Sequence, residues 1–221
     1  MKIIVCAYRE WGLNVHAALC SLFPEHDICL VSTPKELTSR VEGAGVPDAV
    51  LCAGWSWKVE SALTGTTWVV GVHPSDLPEF AGGSPIQNQI LNGVTATKTT
   101  LFRLTEQLDG GPILAKLPLS LDGHMQEIFS RLEMTSIVLF ADFIRKYPDI
   151  PVPAAAENRG HSTLYKRLTP CASEITREDL ANKSARELFD LIRSREDPYP
   201  NSYFEDCTGR IVFKYCEFSK K

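Results

Sequence analysis

Residues 67–85 read TWVVGVHPSDLPEFAGGSP, an apolar run that stops at a histidine and passes into a stretch rich in Pro and Gly. The run over 67–72 predicts a buried strand, and His73 stands directly after it. In open α/β sheets, reactive groups collect beyond the carboxyl ends of the strands. His73 is therefore a candidate catalytic residue at the end of a strand.

The sequence around this stretch alternates between strand and helix patterns. Short apolar runs predict strands over 2–7, 27–32, 48–53, 67–72, 98–104 and 111–119. Amphipathic patterns predict helices over 16–23, 39–45, 83–93 and 124–146, the first of them capped by Asn14. Strands that alternate with helices predict an α/β fold with an open, mostly parallel sheet flanked by helices.

The composition changes from residue 147, where YPDIPVPAAAENRGHS predicts a connecting loop. Beyond this loop, residues 184–193 predict a helix whose N-cap is Ser184, with Glu187 at the capping-box position. Residues 202–204 and 210–218 predict a hairpin. We therefore expect a catalytic α/β domain over residues 1–155 and a small C-terminal α+β subdomain over residues 156–221.

The composition also narrows the function classes. The 221 residues carry a net charge of −4, which argues against a broad nucleic-acid surface. No apolar run approaches the length of a membrane span, and the N-terminus does not fit a signal peptide. Seven cysteines lie scattered without a CxxC pair, so we expect free thiols in a reducing cytoplasm and no zinc site.

A second polar group lies at a comparable place in the chain. Asp109 is the carboxylate of the turn LDGGP over 108–112, where another strand begins. An Asp held against a His fixes the tautomer of the ring and can relay a proton. A lone His or a turn Asp is also commonly structural, so the residues alone leave both interpretations open.

Several segments together carry a family resemblance: HPSDLP at 73–78, GGSPIQNQI at 82–90, TKTTLFRLTEQLDGGPIL at 97–114, YKRLTP at 165–170 and DPYPNSYF at 197–204. The chain resembles the formyltransferases that use N10-formyltetrahydrofolate, over about residues 1–218. The resemblance implies a Rossmann-like formyltransferase fold. It also implies transfer of a formyl group from this folate to an amine.

The resemblance assigns roles to the two candidate residues. His73 would polarise or protonate the formyl oxygen, and Asp109 would position His73 and help to take the proton of the attacking amine. The tetrahedral centre carries an oxyanion, which needs a preorganised hydrogen-bond donor. The resemblance implies neither a metal ion nor a covalent enzyme intermediate.

Gly71 departs from the family pattern, in which the residue two places before the histidine is usually an Asn that supports the oxyanion. Loss of one such donor costs about 3–4 kcal/mol in comparable acyl-transfer sites. Either catalysis is weakened, or another donor at the next helix substitutes. The candidates are Ser84, Gln87 and Asn88, of which we favour the last two, and the backbone N–H groups at the start of that helix. These two residues would otherwise be surface residues of an amphipathic helix. Ala81 is a second departure, where the family often has Arg.

The same resemblance suggests the binding residues. The pterin would lie against the loops after the third and fourth strands and around Asp109, with contacts from Gly54, Trp55, Trp57, Leu77, Pro78 and Leu108. Two Trp beside a Gly would suit a flat ring, and they would equally suit core packing. The substrate would contact Ser75, Ser84, Lys166 and Arg167. The last two form a basic pair that would meet a diphosphate or contact nothing.

Three kinds of family member differ in their acceptor. The methionyl-tRNA enzymes carry a basic C-terminal barrel, which does not suit this acidic chain. The glycinamide ribonucleotide enzymes carry a Gly-Ser phosphate loop where this chain reads AYREWG at 7–12. The nucleotide-sugar N-formyltransferases resemble this chain through YKRLTP at 165–170 and DPYPNSYFED at 197–206. This resemblance implies that the acceptor is an amine on a nucleotide-linked sugar. The alternatives are a catalytically weak folate- or sugar-nucleotide-binding relative and a formyltetrahydrofolate hydrolase.

The C-terminal hairpin would pair across a homodimer or pack on its own domain.

Overall fold

The sheet that carries His73 has six strands. The structure, a computed structural model, describes residues 1–151 and 164–220, with strands β1 (Lys2–Cys6), β2 (Asp27–Val31), β3 (Ala49–Ala53), β4 (Trp68–His73), β5 (Ala81–Gly82), β6 (Ala96–Arg103), β7 (Ile113–Ser120), β8 (Leu164–Tyr165), β9 (Ser202–Asp206) and β10 (Gly209–Phe213). The large sheet has the order β2-β1-β3-β4-β6-β7. Its first four strands are parallel, whereas β6 and β7 are each antiparallel to the strand before them. The predicted open, mostly parallel sheet is confirmed.

Helices cover both faces of this sheet. The α-helices of the described residues are α1 (Glu10–Leu22), α2 (Pro34–Ala44), α3 (Ser61–Thr66), α4 (Pro85–Leu91), α5 (Met125–Lys146), α6 (Arg177–Asn182) and α7 (Ala185–Arg193), of which the last two belong to the C-terminal part. α1 and α5 pack on the face that presents Val5 and Val70. α2 and α3 pack on the opposite face, which presents Val69. Because alternate residues of a strand point to opposite faces, Gly71 and His73 lie on the same face as Val69.

The first helix begins earlier than the sequence predicted. It starts at Glu10 rather than near residue 16, and its buried residues are Trp11, Gly12, Val15 and Leu19. Asn14 is therefore not an N-cap, and its side-chain amide donates to Glu133 on α5 at 2.9 Å. Arg9 takes the N-cap position without a side-chain hydrogen bond, so no capping residue marked this start.

Two short strands that the sequence patterns did not indicate lie beside the site. β5 pairs in parallel with β8, with Ala81 opposite Leu164 and Gly82 opposite Tyr165. Two residues are too few to show a strand period. Only the tertiary contact between distant segments reveals this pairing.

The C-terminal part contains the predicted helix and hairpin. Ser184 caps α7 and forms the predicted capping box with Glu187, and β9 pairs antiparallel with a β10 that is shorter than predicted. Arg193 joins this part to the rest by donating to the carbonyls of Leu121 and Gly123 at 2.6 and 2.8 Å. The predicted domain boundary after residue 155 lies outside the described residues, and the homodimer contact stays a prediction.

The described part of the chain has no helix long and apolar enough to cross a membrane. Within the same residues, no group of three or more His, Cys, Asp or Glu side chains is placed to hold a metal ion. The cysteines are free thiols. The pKa of Cys6 is raised by its hydrogen bond with Cys52 and by burial, so this thiol is unreactive.

Candidate active site

His73 ends β4 and is buried, with 7% of its surface exposed. Its Nε2 lies 2.9 Å from the carbonyl oxygen of Phe80. Because a carbonyl can only accept, Nε2 carries the hydrogen of this bond. Its Nδ1 lies 3.7 Å from Oδ2 of Asp109. The fold therefore brings together the two residues that the sequence singled out.

Asp109 is fixed in its turn. Its Oδ2 accepts a hydrogen bond of 2.7 Å from the backbone N–H of Gly82, and only 13% of its side chain is exposed. Its φ of +47° lies in the left-handed region, which Asp adopts more readily than most residues. Phe80 and Gly82, which contact His73 and Asp109, flank Ala81 of β5. One short segment thus holds both members of the pair.

Unfavourable backbone conformations concentrate around this pair. Phe80, Ser84 and Asp109 are the non-glycine residues with positive φ in the described ranges, at 52°, 49° and 47°. Such conformations cost about 1–3 kcal/mol each and cluster at functional sites. All three residues lie in the two loops that contact His73. The backbone therefore marks the same site without reference to any resemblance.

Asp76 anchors the loop that follows β4. Its carboxylate pairs with the ammonium of Lys116 and, at 2.9 Å, with that of Lys98. Burial alone would raise the pKa of Asp76, but the hydrogen bonds from Lys116 and Lys98 outweigh it and hold the pKa below its usual value. The loop is therefore tied to β6 and β7, which keeps the carbonyl of Phe80 against His73.

Replacing Asp76 with asparagine is expected to loosen this loop. The Tm should fall by about 2–4 °C, the change that ~1 kcal/mol produces in a domain of this size. A lowered carboxyl pKa gives stability that is present above about pH 4 and is lost as the pH falls below it. The Asp76→Asn variant should therefore lose less stability than the parent between about pH 5 and pH 3.

Thermal melts over this pH range test the expectation. Asp142→Asn is the matched control, because Asp142 forms an exposed i,i+4 pair with Lys146 on the surface of α5. Such pairs contribute little. Equal effects of the two substitutions would contradict the anchoring role of Asp76.

The amides of α4 that the sequence suggested as oxyanion donors have other partners. Asn88 donates to the carbonyl of Gly83 at 2.8 Å and to that of Lys166 at 3.5 Å. Gln87 is buried and hydrogen-bonded to Tyr199. Neither amide is free in this geometry to serve as an oxyanion donor beside His73. The structure therefore favours a structural role for both.

Ser75 and Ser84 also have structural roles. Ser75 is fully buried, and its hydroxyl donates to the carbonyl of Glu79 at 2.7 Å, so it offers no surface to a substrate. The hydroxyl oxygen of Ser84 accepts from the backbone N–H of Leu168 at 3.1 Å. Ser84 thus ties the start of α4 to residues 164–168.

Residues 164–168 pack directly on the loop of the site. Tyr165 stacks on Phe80 with ring centroids 4.9 Å apart, and its carbonyl accepts from Gly83 at 2.8 Å. A Cβ added to Gly83 would lie 2.4 Å from the main-chain nitrogen of Arg167, so this close approach requires glycine. Lys166 and Arg167 are both exposed, and Arg167 reaches Ser56 with its guanidinium at 3.2 Å.

Arg9 and Arg167 lie in a cluster with aromatic and hydroxyl side chains, which we call the arginine cluster. The guanidinium of Arg9 lies 5.3 and 5.6 Å from the ring centroids of Tyr8 and Tyr199. Arg167 donates to the hydroxyl of Ser56 at 3.2 Å, and the hydroxyl of Tyr8 lies 2.7 Å from the same oxygen. Among the described residues, neither arginine forms an ion pair with a carboxylate.

The sequence analysis missed most of the arginine cluster. Arg9 follows the carboxyl end of β1, so the rule that selected His73 would have selected it as well. Tyr199 gave no such signal, because it comes from the C-terminal part. Burial raises the pKa of Tyr199 by more than Arg9 and Gln87 lower it. Two guanidiniums without carboxylate partners, together with hydroxyl groups, suit an anion such as phosphate.

Comparison with known proteins identifies the fold. The formyl transferase family matches residues 31–128, a range that contains both His73 and Asp109. The methionyl-tRNA formyltransferase of Lactococcus lactis subsp. lactis is 29% identical over 135 residues, which are 60% of this chain and 41% of that enzyme. The structure of the methionyl-tRNA formyltransferase from Clostridium thermocellum is 27% identical, with a TM-score of 0.85 over 99% of this chain and 94% of its own. This chain has the formyltransferase fold.

The formyltransferase fold extends to sugar enzymes. A sugar N-formyltransferase from Shewanella sp. is 15% identical, with a TM-score of 0.75 over 100% of this chain and 99% of its own. At this identity the likeness concerns the fold alone. The chain spans about half the length of the curated relatives it matches, with 41% and 54% of two Lactococcus lactis enzymes covered.

Two clefts of this formyltransferase fold flank α3. The first has a volume of about 330 Å³ and is lined by apolar side chains of α2 and α3 together with Trp55. The second has a volume of about 380 Å³, and it lies between α3 and residues 103–106, beside the turn that carries Asp109. The structure therefore offers one mainly apolar cleft and one mainly polar cleft near the predicted pterin loops.

The three predicted pterin contacts in the loops around His73 and Asp109 differ in their exposure. Leu77 is 1% exposed and packs in a small core under the loop, so it does not line a cleft. Pro78 follows it through a cis peptide bond. Leu108 is 65% exposed and stands free at the surface. Of these three, only Leu108 has most of its surface open to a ligand.

The loop after β3 holds three of the predicted pterin contacts, and two of them, Trp55 and Trp57, lie side by side. Trp55 and Trp57 contact each other at 4.8 Å, and Trp57 also contacts Tyr8 at 4.8 Å. The aromatic pair thus connects the first cleft to the arginine cluster. Gly54 has a φ of +68°, and a Cβ added there would lie 2.8 Å from the ring of Trp11. Glycine is required at position 54 because Trp11 packs on it.

Proposed function

We propose that this protein transfers a formyl group from N10-formyltetrahydrofolate to the amine of a nucleotide-linked amino sugar. The observation that carries the proposal is the buried pair of His73 and Asp109 at the end of β4 in a formyltransferase fold. The match to the formyl transferase family spans this pair. The pair supplies the base that amine attack on a formyl carbon requires.

The hydrogen bonding of His73 suits it to take the proton of the amine. Because Nε2 donates to Phe80, the neutral ring keeps a free lone pair on Nδ1. Nδ1 and the Asp109 carboxylate, 3.7 Å apart, then form two acceptors for an incoming N–H group. A ring that has taken a proton on Nδ1 has an acceptor for each of its N–H groups. This differs from the sequence expectation, in which His73 faced the formyl oxygen.

The transfer balances with these groups alone. The amine nitrogen attacks the formyl carbon, and the new C–N bond forms as His73 accepts the amine proton. The bond between the formyl carbon and N10 then breaks. His73 returns the proton to N10, so that tetrahydrofolate and the formylated amine leave and the ring is neutral again.

The folate would bind with its flat ring in the cleft that α2, α3 and Trp55 line, which offers Trp55 and aliphatic side chains to the ring. Its formyl group would lie on the surface of β4 beside His73. Leu104 lies between this surface and the cleft beside residues 103–106. These contacts replace the wall that the sequence analysis assigned to Leu77.

The arginine cluster supports an acceptor that carries phosphate. Arg9 and Arg167 have no carboxylate partners among the residues of the two described ranges, and Ser56 and Tyr8 add hydroxyl groups. This arrangement suits one diphosphate better than the extended phosphate backbone of a tRNA, and the net charge of −4 agrees. Methionyl-tRNA is the second candidate acceptor, because the similar curated enzymes are named for it.

An acceptor panel tests the proposal. The purified protein is mixed with N10-formyltetrahydrofolate and either nucleotide-linked amino sugars or methionyl initiator tRNA, and the products are identified by mass spectrometry. We expect a formamide on an amino sugar. Formylated methionyl-tRNA would overturn the sugar acceptor. Formate without any formylated amine would indicate a hydrolase, and no tetrahydrofolate in any mixture would indicate a binding relative.

Replacing Arg9 or Arg167 with alanine is expected to weaken acceptor binding. The KM for the acceptor should rise by about tenfold to a hundredfold, the range that corresponds to a lost hydrogen bond to a charged group. The kcat should change little, because the cluster contacts the anion and not the reacting carbon. Steady-state kinetics measure both values, with Arg40→Ala on the exposed side of α2 as the control. An unchanged KM in both variants would remove the cluster from the acceptor site.

A further inference from the structure

Leu104 fills the space that a side chain at position 71 would otherwise take. A Cβ added to Gly71 would lie 2.8 Å from Cδ1 of Leu104, while its next neighbours, atoms of Cys52 and Phe102, would each be 3.6 Å away. The obstacle is therefore one methyl group of a side chain and not the backbone. The missing side chain at Gly71 and the presence of Leu104 belong to one packing arrangement.

This packing lies on the face of β4 that carries His73. Gly71 and His73 are two places apart in one strand, so positions 71 and 73 face the same side at a separation of about 7 Å. The backbone N–H of Leu104 donates to the carbonyl of Val69 at 2.8 Å, which fixes Leu104 against β4. Its side chain also packs with Phe102 under the loop that follows His73.

Leu104 is at the same time part of the cleft beside residues 103–106. It is half-buried, so one side covers Gly71 and the other faces the cleft. Its sequence neighbours in the cleft, Arg103, Thr105 and Glu106, are polar. Leu104 is therefore an apolar side chain between the open cleft and the surface of β4 beside His73.

We propose that Leu104 excludes water from the formyl group beside His73, so that the group passes to an amine and not to water. This inference rests on the proposed formyl transfer. Gly71 leaves the strand uncovered at this point, and truncation of Leu104 would open the gap to the 380 Å³ cleft. Water exclusion is the general means by which transferases suppress hydrolysis of their reactive donors.

Truncation of Leu104 would allow water to hydrolyse the formyl group, and this reaction balances. A water oxygen attacks the formyl carbon, and His73 accepts one proton from the water. The bond between the formyl carbon and N10 breaks, and the proton passes to N10. The products are tetrahydrofolate and formic acid, which ionises to formate. No oxidant, reductant or further reactant is needed.

The test measures formate and tetrahydrofolate released from N10-formyltetrahydrofolate in the absence of any acceptor. Leu104→Ala is expected to release both at least about tenfold faster than the parent, because water reaches the formyl carbon. Leu104→Met, which conserves volume, is the matched control and should resemble the parent. This readout does not depend on knowing the acceptor.

A second substitution tests the packing without any activity. Gly71→Ala should lower the Tm of the parent, since its Cβ meets Leu104 at 2.8 Å. In the Leu104→Ala background the same change should cost less, because the remaining neighbours are 3.6 Å away. The double variant also refills part of the gap, so its formate release should fall back toward that of the parent. If Leu104→Ala does not fold, Leu104→Val takes its place.

The outcomes separate this inference from the proposed function. Equal formate release by the parent, Leu104→Ala and Leu104→Met would overturn the role of Leu104, provided that the proteins bind 5-formyltetrahydrofolate in calorimetry. A parent that neither binds this analogue nor forms tetrahydrofolate with any acceptor would overturn the proposed function itself. In that case the Tm values would still test the packing, because the Tm loss from Gly71→Ala should be smaller in the Leu104→Ala background than in the parent.

Discussion

Formyl transfer by the His73→Ala variant is expected to be at least about 10³-fold slower than by the parent, because the reaction loses its base at the reacting carbon. Tetrahydrofolate release under saturating donor and acceptor measures the rate. His16→Ala is the control, since His16 lies on α1 and contacts Cys20, away from the site. The control should retain the rate of the parent.

His73→Gln separates proton transfer from the structural contact of the ring. A glutamine amide nitrogen reaches the position of Nε2 and can still donate a hydrogen bond to the carbonyl of Phe80, the contact that Nε2 makes in the parent. It cannot take a proton from an amine. The variant should therefore fold with a Tm close to that of the parent and still lose transfer. A folded His73→Gln protein with a rate near that of the parent would exclude His73 as the base.

Asp109→Asn is expected to lower kcat by about 10²-fold or more while leaving the fold intact. The amide oxygen can still accept from Gly82, as Oδ2 does at 2.7 Å. Asparagine also tolerates the left-handed φ of +47° at this position. What the variant lacks is the negative charge beside Nδ1 of His73. The loss of rate then reports the charge, which stabilises the protonated ring.

Asp109→Ala provides the comparison for this second prediction. Alanine loses the charge and also adopts the left-handed region less readily, so the Tm should fall by several degrees more than in Asp109→Asn. Both variants should be similarly slow once folded. A near-parental kcat in Asp109→Asn would show that the carboxylate serves the turn and not the reaction. Asp122→Asn, at an exposed turn, controls for a general change in charge.

The features that follow from local sequence were predictable. The strand before His73 is an apolar run, and the capping box of Ser184 and Glu187 is a local hydrogen-bond pattern. The start of α1 was not predictable in this way, because its N-cap residue makes no side-chain bond. The antiparallel direction of β6 and β7 depends on how the loops turn, and strand periodicity does not encode direction.

The site residues also divide into those that the local sequence predicts and those that depend on contacts between distant segments. His73 and Asp109 could be selected because each stands at a strand end, and the fold then brought them together. The carbonyl of Phe80 could not be selected, because a main-chain acceptor leaves no mark on the side-chain sequence. Leu104 could not be selected either, because its proposed role depends on the missing side chain of Gly71 on β4. Contacts between distant segments, such as β5 with β8, carry this information.

The most direct test of formyl transfer through His73 is a mass balance with N10-formyltetrahydrofolate and a nucleotide-linked amino sugar, run with the parent and with His73→Gln. The parent is predicted to form one tetrahydrofolate for each formylated sugar, with little formate, and His73→Gln is predicted to form neither product above background. Tetrahydrofolate matched by formate instead of formylated sugar, or equal product from the two proteins, would contradict the proposed reaction.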